Sequence, residues 1–155
     1  MSEEDKCLKS EFPSSVLTIV NEYGFILQYG SAQYHIHVGS EHKVDGHQAA
    51  LEFHIVHKLN PFYKDVMTYA VVGLLFDIDD SNTTNLFDQI DFTKPQRVNF
   101  KKIMTPFLIG NNVYHYKGSL TTPKCNEAVN WYVVQKIFTI RPEQLASIAS
   151  LINDG

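Results

Sequence analysis

Six of the chain's seven histidines fall between residues 35 and 57, inside two runs that read as β-strands. The first is Gln33-Tyr34-His35-Ile36-His37-Val38 and the second is Glu52-Phe53-His54-Ile55-Val56-His57. Side chains alternate faces along a strand, so His35 and His37 project from the same side. Between the runs lies Val44-Asp45-Gly46-His47, and an Asp-Gly pair suits the positive φ angles of a two-residue type I′ hairpin turn. A register centred on that turn opposes His37 to His54 and brings all three imidazoles to one face of an antiparallel sheet. A lone histidine is most often a satisfied core or surface residue, whereas a same-face pair with a third on the neighbouring strand is a metal-ligand pattern. Three neutral imidazoles leave a fourth position open, which is the ligand set of a catalytic rather than a structural zinc. His57 is an odd number of positions from His54 and faces the other way, His42 and His47 belong to the loop, and His115 is isolated. Gln33 and Glu52 each lie two residues from a ligand and on its face, where they can hold its second ring nitrogen.

The rest of the chain has the same texture. Short runs rich in Val, Ile, Tyr and Phe alternate with Gly, Asn, Asp and Pro, giving expected strands at 15–20, 25–29, 32–38, 50–57, 69–78, 113–117 and 128–138. Helical periodicity is confined to 142–151, where Pro142 suits a first turn and Leu145, Ile148, Ala149 and Ile152 share a face, and to a short stretch at 85–90. With 155 residues, no repeats and no linker-like segment, the chain reads as one mainly β domain, mixed α+β in detail. Its core covers 15–155 and an N-terminal tail covers 1–14.

A formal net charge of −4, with 13 scattered Lys and Arg, argues against nucleic acid as the main partner, because phosphate binding needs a clustered basic surface. The densest group, Arg97 with Lys101 and Lys102, reads as a solvated face. No run approaches the ~18 apolar residues of a membrane span. The start, Met1-Ser2-Glu3-Glu4-Asp5-Lys6-Cys7, is acidic and unlike a secretory signal, so a cytoplasmic or organellar chain is expected. Cys7 and Cys125 fit either two free thiols or one disulfide, and are too few for a four-thiolate site.

The stretch from Gln33 to His42, then Val44-Asp45-Gly46, then Glu52 to His57 resembles the zinc-binding segment of the alpha-class carbonic anhydrases. Gly118-Ser119-Leu120-Thr121-Thr122-Pro123, followed by Asn130-Trp131, resembles that family's active-site loop and the strand after it. Tyr69-Ala70-Val71-Val72-Gly73-Leu74 resembles the strand between them, and the likeness runs from about residue 20 to residue 148. The resemblance implies a central, largely antiparallel twisted sheet with a few short helices. It implies a Zn2+ ion on His35, His37 and His54, with Gln33 and Glu52 behind the ligands. Thr121 would be the gatekeeper hydroxyl, donating to Glu41 and accepting from zinc-bound hydroxide, with Thr122 on the bicarbonate side. Val56, Val71, Leu120, Val129 and Trp131 would form the apolar wall for carbon dioxide. The implied reaction is the reversible hydration of carbon dioxide to bicarbonate and a proton, open to sulfonamide-type inhibitors.

The chain departs from the family pattern in three ways. Most of the family's N-terminal region and the C-terminal strands beyond the last helix are missing, so a sheet truncated at both ends is expected. Missing strands expose unpaired backbone edges, which leads to the expectation of a second copy or another chain as cover. Phe25 stands near where many fast members place a proton-shuttling histidine, so slower turnover is expected. Cys125 follows the Thr-Thr-Pro stretch, where extracytoplasmic members often carry a cysteine bridged to one near the N-terminus. The resemblance implies Cys7 as that partner, and a paired Cys7–Cys125 would indicate an extracytoplasmic compartment. Two other readings stand beside the enzyme. One is a carbonic-anhydrase-like structural or interaction subunit with low or no activity; the other is a zinc hydrolase acting on esters.

Overall fold

The computed structural model describes residues 8–11, 15–21, 23–62, 67–81, 84–92 and 99–154. In chain order the strands are β1 (Leu8–Glu11), β2 (Val16–Val20), β3 (Ile26–Val38), the short hairpin arms β4 (Lys43–Val44) and β5 (His47–Gln48), β6 (Leu51–Leu59), β7 (Tyr69–Ile78), β8 (Val113–Gly118), β9 (Val129–Val134) and β10 (Phe138–Ile140). A 3-10 turn spans Leu86–Asp88, and helices α1 and α2 span Phe100–Leu108 and Pro142–Asp154. The main sheet runs β1-β3-β6-β7-β9-β8, with β2 beside the first part of β3 and β10 beside the end of β7. Its pairs are antiparallel except β7 with β9 and β7 with β10. Part of the segment read as a tail is therefore β1, which continues along β3 the edge that β2 begins.

The expected strands at 25–29 and 32–38 are one strand, β3, with a bulge at Ala32: Ser31 pairs with His57 and Gln33 with Val56. One extra residue reverses which parity faces which side. Before the bulge Leu27 and Tyr29 are buried on the back of the sheet with Leu59 and Ala70. After it, Gln33, His35 and His37 line the front.

The expected strand at 128–138 is likewise divided. Val133 pairs with Gly73 and Phe138 with Phe76, five steps of chain against three, so the connection between β9 and β10 must bow outward.

The Asp45-Gly46 turn forms with φ of 51° and 80° and pairs Val44 with His47. Its register does not carry into the sheet. The Ser40 N–H donates to the Ala49 carbonyl at 2.9 Å, so Glu41 and His42 loop out. As a result His54 faces His35, and His37 faces Glu52. The slip is by two residues, an even number, so every side chain keeps its face.

Two apolar layers enclose the central strands. The back layer packs Ile36, Phe53, Ile55, Leu74 and Phe76 against Ile103 and Met104 of α1 and Ile148 of α2. Asn99 caps α1 by accepting from the Lys102 N–H at 3.0 Å. The Asn85 amide donates to Gln144 at 2.8 Å and Arg141 pairs with Asp88, which ties α2 to the 3-10 turn. The front layer is smaller and holds Val56, Val71, Leu75, Trp131 and Val133.

His57 belongs to the back layer, as its parity requires, with Nδ1 donating to the Ala70 carbonyl at 3.3 Å. Burial, only partly offset by the Ala70 and Ile55 carbonyls, holds its pKa below the ordinary value of 6.5. As pH falls through 6.5 the unfolded chain takes up this proton while the folded chain does not. Stability should therefore decline toward acid, by at most ~1.4 kcal/mol per pH unit, until the folded-state pKa is passed. Urea unfolding of the chain and of His57→Gln between about pH 5 and 7 checks this, with a flatter profile expected for the variant.

Candidate metal centre

His35 and His37 come from β3 and His54 from the facing β6, all on the front of the sheet. Their ring centroids are 4.9 Å apart in each pair. One nitrogen of each lies within 4.8 Å of the others, and His54 Nδ1 is 3.0 Å from His35 Nε2. The opposite ring nitrogens are held from behind: His35 Nδ1 lies 3.1 Å from Gln33 Oε1 and His54 Nε2 lies 2.8 Å from Glu52 Oε1. Each acceptor keeps a proton on the nitrogen it touches, so Nε2 of His35 and Nδ1 of His54 present lone pairs to the centre. His37 is buried, with Nε2 3.5 Å from Glu41 Oε2. Three neutral imidazoles, two of them braced by an oxygen acceptor and none accompanied by a thiolate, fit zinc with an open position.

Glu52 has no exposed surface. Its Oε1 also lies 2.5 Å from His42 Nδ1, and its Oε2 accepts the N–H groups of Glu41 and His42 at 2.9 Å each. Burial alone would raise the carboxyl pKa, but the hydrogen bonds from His42 and His54 outweigh it and hold Glu52 far below the ordinary carboxylate range. The outward loop at Glu41 and His42 is thus pinned by the same carboxylate that orients His54. His42 Nε2 in turn lies 2.6 Å from Tyr116 Oη. Burial, with the Glu52 and Glu41 charges, pushes the Tyr116 pKa up to about 12, so its O–H donates to His42. Neither His42 nor Tyr116 was legible as part of the centre, because they are 74 residues apart and meet only through folding.

Gly73 of β7 lies opposite His54. A Cβ there would stand 2.9 Å from Glu52 Oε1, inside contact distance of an atom that cannot retreat without releasing His54. Gly73→Ala should cost ~1–3 kcal/mol as an overpacked core site and about tenfold in zinc affinity. Denaturant unfolding and a zinc competition assay check this; unchanged values in both would mean the carboxylate relaxes freely.

The histidines open into a pocket of about 260 Å³. Of the expected apolar wall, Val56, Val71, Leu120 and Trp131 line it, while Val129 is fully buried in the layer beside them. Thr121 and Thr122 line the pocket and are exposed, and Tyr69 joins them without having been anticipated. Trp131 Nε1 donates to the Ser119 carbonyl at 3.1 Å, fastening the threonine loop to β9. Among the described residues no hydrogen bond joins Thr121 to Glu41; the Glu41 carboxylate instead lies 3.5 Å from His37 and 3.9 Å from His54. Cys125 is an exposed free thiol, and its expected partner Cys7, like Arg97, lies outside the described residues. No helix among the described residues is long and apolar enough to cross a membrane.

The family profile for eukaryotic-type carbonic anhydrases matches residues 4–155. Human carbonic anhydrase 12 is 32% identical over 154 residues, covering 83% of this chain and 42% of its own. An alpha carbonic anhydrase from the fungus Aspergillus oryzae superposes with a TM-score of 0.75 at 24% identity, over 94% of this chain and 62% of that one. The alpha carbonic anhydrase from Thermovibrio ammonificans, solved with the inhibitor sulfanilamide, superposes with a TM-score of 0.64 at 24% identity, over 92% and 70%. At that identity these two likenesses speak to the fold. The chain spans about half the length of the curated relatives it matches. The profile match over almost the whole chain, on the same sheet architecture, makes this chain a member of the eukaryotic-type carbonic anhydrase family.

Proposed function

We propose that the chain is a zinc lyase that reversibly hydrates carbon dioxide to bicarbonate and a proton. The observation that carries this reading is the convergence of three imidazole nitrogens within 4.8 Å of one another, beside a pocket with apolar and hydroxyl-bearing sides. His35, His37 and His54 would hold a zinc ion, which would supply the Lewis acidity that makes water a nucleophile near neutral pH. The chain's own residues do the positioning. Gln33 and Glu52 hold the tautomers of His35 and His54. Val56, Val71, Leu120 and Trp131 give carbon dioxide an apolar resting wall, which Val129 backs. Thr121 lines the pocket and would accept from the attacking water once its own proton goes to Glu41, a hydrogen bond not formed in this structure, while Thr122 would face the product. Sulfonamides, the inhibitor class seen on the Thermovibrio enzyme, compete for the same position. Phe25 precedes β3 and does not line the pocket, and among the described residues no histidine besides the three ligands does, so protons leave to buffer and turnover rises with buffer concentration.

Zinc competition with a chromophoric chelator is the test of the site: one ion per chain is expected, and loss of that ion in His35→Ala. Zinc binding unaffected by that change would remove the ligand assignment. One observation favours the second reading, a structural or interaction subunit. Strand β8 forms a sheet edge whose Val113, Tyr114 and Tyr116 side chains are exposed, and such an edge invites a second copy or another chain. Concentration-dependent association with no hydration rate in the zinc-loaded chain would establish that reading, and ester turnover outpacing hydration would establish a hydrolase.

A further inference from the structure

A cavity larger than the histidine pocket, about 490 Å³ against about 260 Å³, lies on the back of the sheet. Its volume falls within the ~300–1,000 Å³ of typical small-molecule sites. Ile55 and His57 of β6 and Val72 of β7 form its floor, Leu17 of β2 one wall, and Phe100 and Met104 of α1 the other. Ile55 and His57 project away from His54 and Val56, so the sheet itself separates the two sites, and no residue lines both.

Polarity in this cavity is sparse and placed. Ser15 precedes β2, Lys101 and Thr105 come from α1, Lys101 is exposed with its charge in water, and the Thr105 hydroxyl is already engaged, donating to the Lys101 carbonyl at 2.7 Å. His57 is 6% exposed, and its Nδ1 proton goes to the Ala70 carbonyl. Burial keeps the ring neutral at neutral pH, so Nε2 is an acceptor and not a donor. An acceptor on the cavity floor favours a ligand that brings an O–H over a carboxylate, whose lone pairs would oppose its own. Phe100 and the Met104 thioether favour an aromatic body over an aliphatic one.

We propose that this back cavity binds a small neutral aromatic alcohol, with its ring between Leu17, Val72 and Met104 and its hydroxyl donating to His57 Nε2. The site is independent of zinc chemistry, so its failure and that of the lyase reading are separable. The probes are 2-naphthol and 2-methoxynaphthalene, which share a ring system and differ in the donor. Fluorescence titration should give one 2-naphthol per chain, equal affinity with and without zinc, and about tenfold weaker binding of the methoxy compound. His57→Phe should erase the preference between the probes with zinc affinity unchanged, and Leu17→Trp, which fills the cavity, should weaken both. Equal binding of the two probes, binding that requires zinc, or binding indifferent to Leu17→Trp would overturn the proposal. Where His57→Phe fails to fold, the two probes on the unaltered chain decide alone.

Discussion

Replacing Glu52 with leucine should remove most of the zinc affinity and several kcal/mol of stability in a single change. The carboxylate serves four donors at once: the ring N–H groups of His54 and His42 and the backbone N–H groups of Glu41 and His42. Leucine offers none of them an acceptor in a site without exposed surface. A buried donor left unsatisfied costs ~1–3 kcal/mol, and removing one member of a buried charged network costs ~3–5 kcal/mol overall. The outward loop at Glu41–His42 would lose its anchor, and His54 would lose the partner that fixes its tautomer. Zinc affinity should drop by about 100-fold, the upper end for loss of an outer partner. Glu52→Gln keeps the shape and one carbonyl oxygen, and should fall between the two, near tenfold. Urea unfolding and zinc competition on both variants measure the effect. A leucine variant with native stability and affinity would show that the network does not organise the centre.

Deleting Ala32 should abolish stoichiometric zinc binding, although Ala32 is not among the residues that line the pocket. The bulge is what allows odd-numbered residues to face the back at Leu27 and Tyr29 and the front at Gln33, His35 and His37. Without it one half of β3 must turn over. Either the two histidines leave the front, or Tyr29, which has no exposed surface and accepts from the Asn130 amide at 3.2 Å, leaves the core. Ala32→Ser keeps the residue count and should be nearly silent, within ~0.5 kcal/mol. Zinc titration with circular dichroism compares the three chains. One zinc per chain in a folded deletion variant would show that the bulge does not set the facing.

Alternation along the strands was enough to place His35, His37 and His54 together and His57 apart, since parity survives any even slip in register. Register itself was not legible. The Asp45-Gly46 turn forms as its chemistry requires, yet Glu52, 11 residues after Glu41 and 10 after His42, draws their N–H groups inward and shifts the sheet pairing by two. That is a tertiary hydrogen bond, absent from any local pattern. Gly30-Ser31 reads as punctuation between strands, whereas the chain uses that stretch for a bulge within one strand. The run 128–138 is apolar enough to hide its own break, which falls at the polar pair Gln135-Lys136. The back cavity was illegible for a related reason, because its walls come from β2, β6, β7 and α1.

Stopped-flow hydration of carbon dioxide by the zinc-loaded chain, with and without an aromatic sulfonamide, decides whether the centre is catalytic. A rate above buffer that the sulfonamide suppresses, and that disappears in His54→Ala, is the expected result. No rate above buffer from a chain holding one tightly bound zinc would contradict the assignment of this centre as a carbon dioxide hydratase.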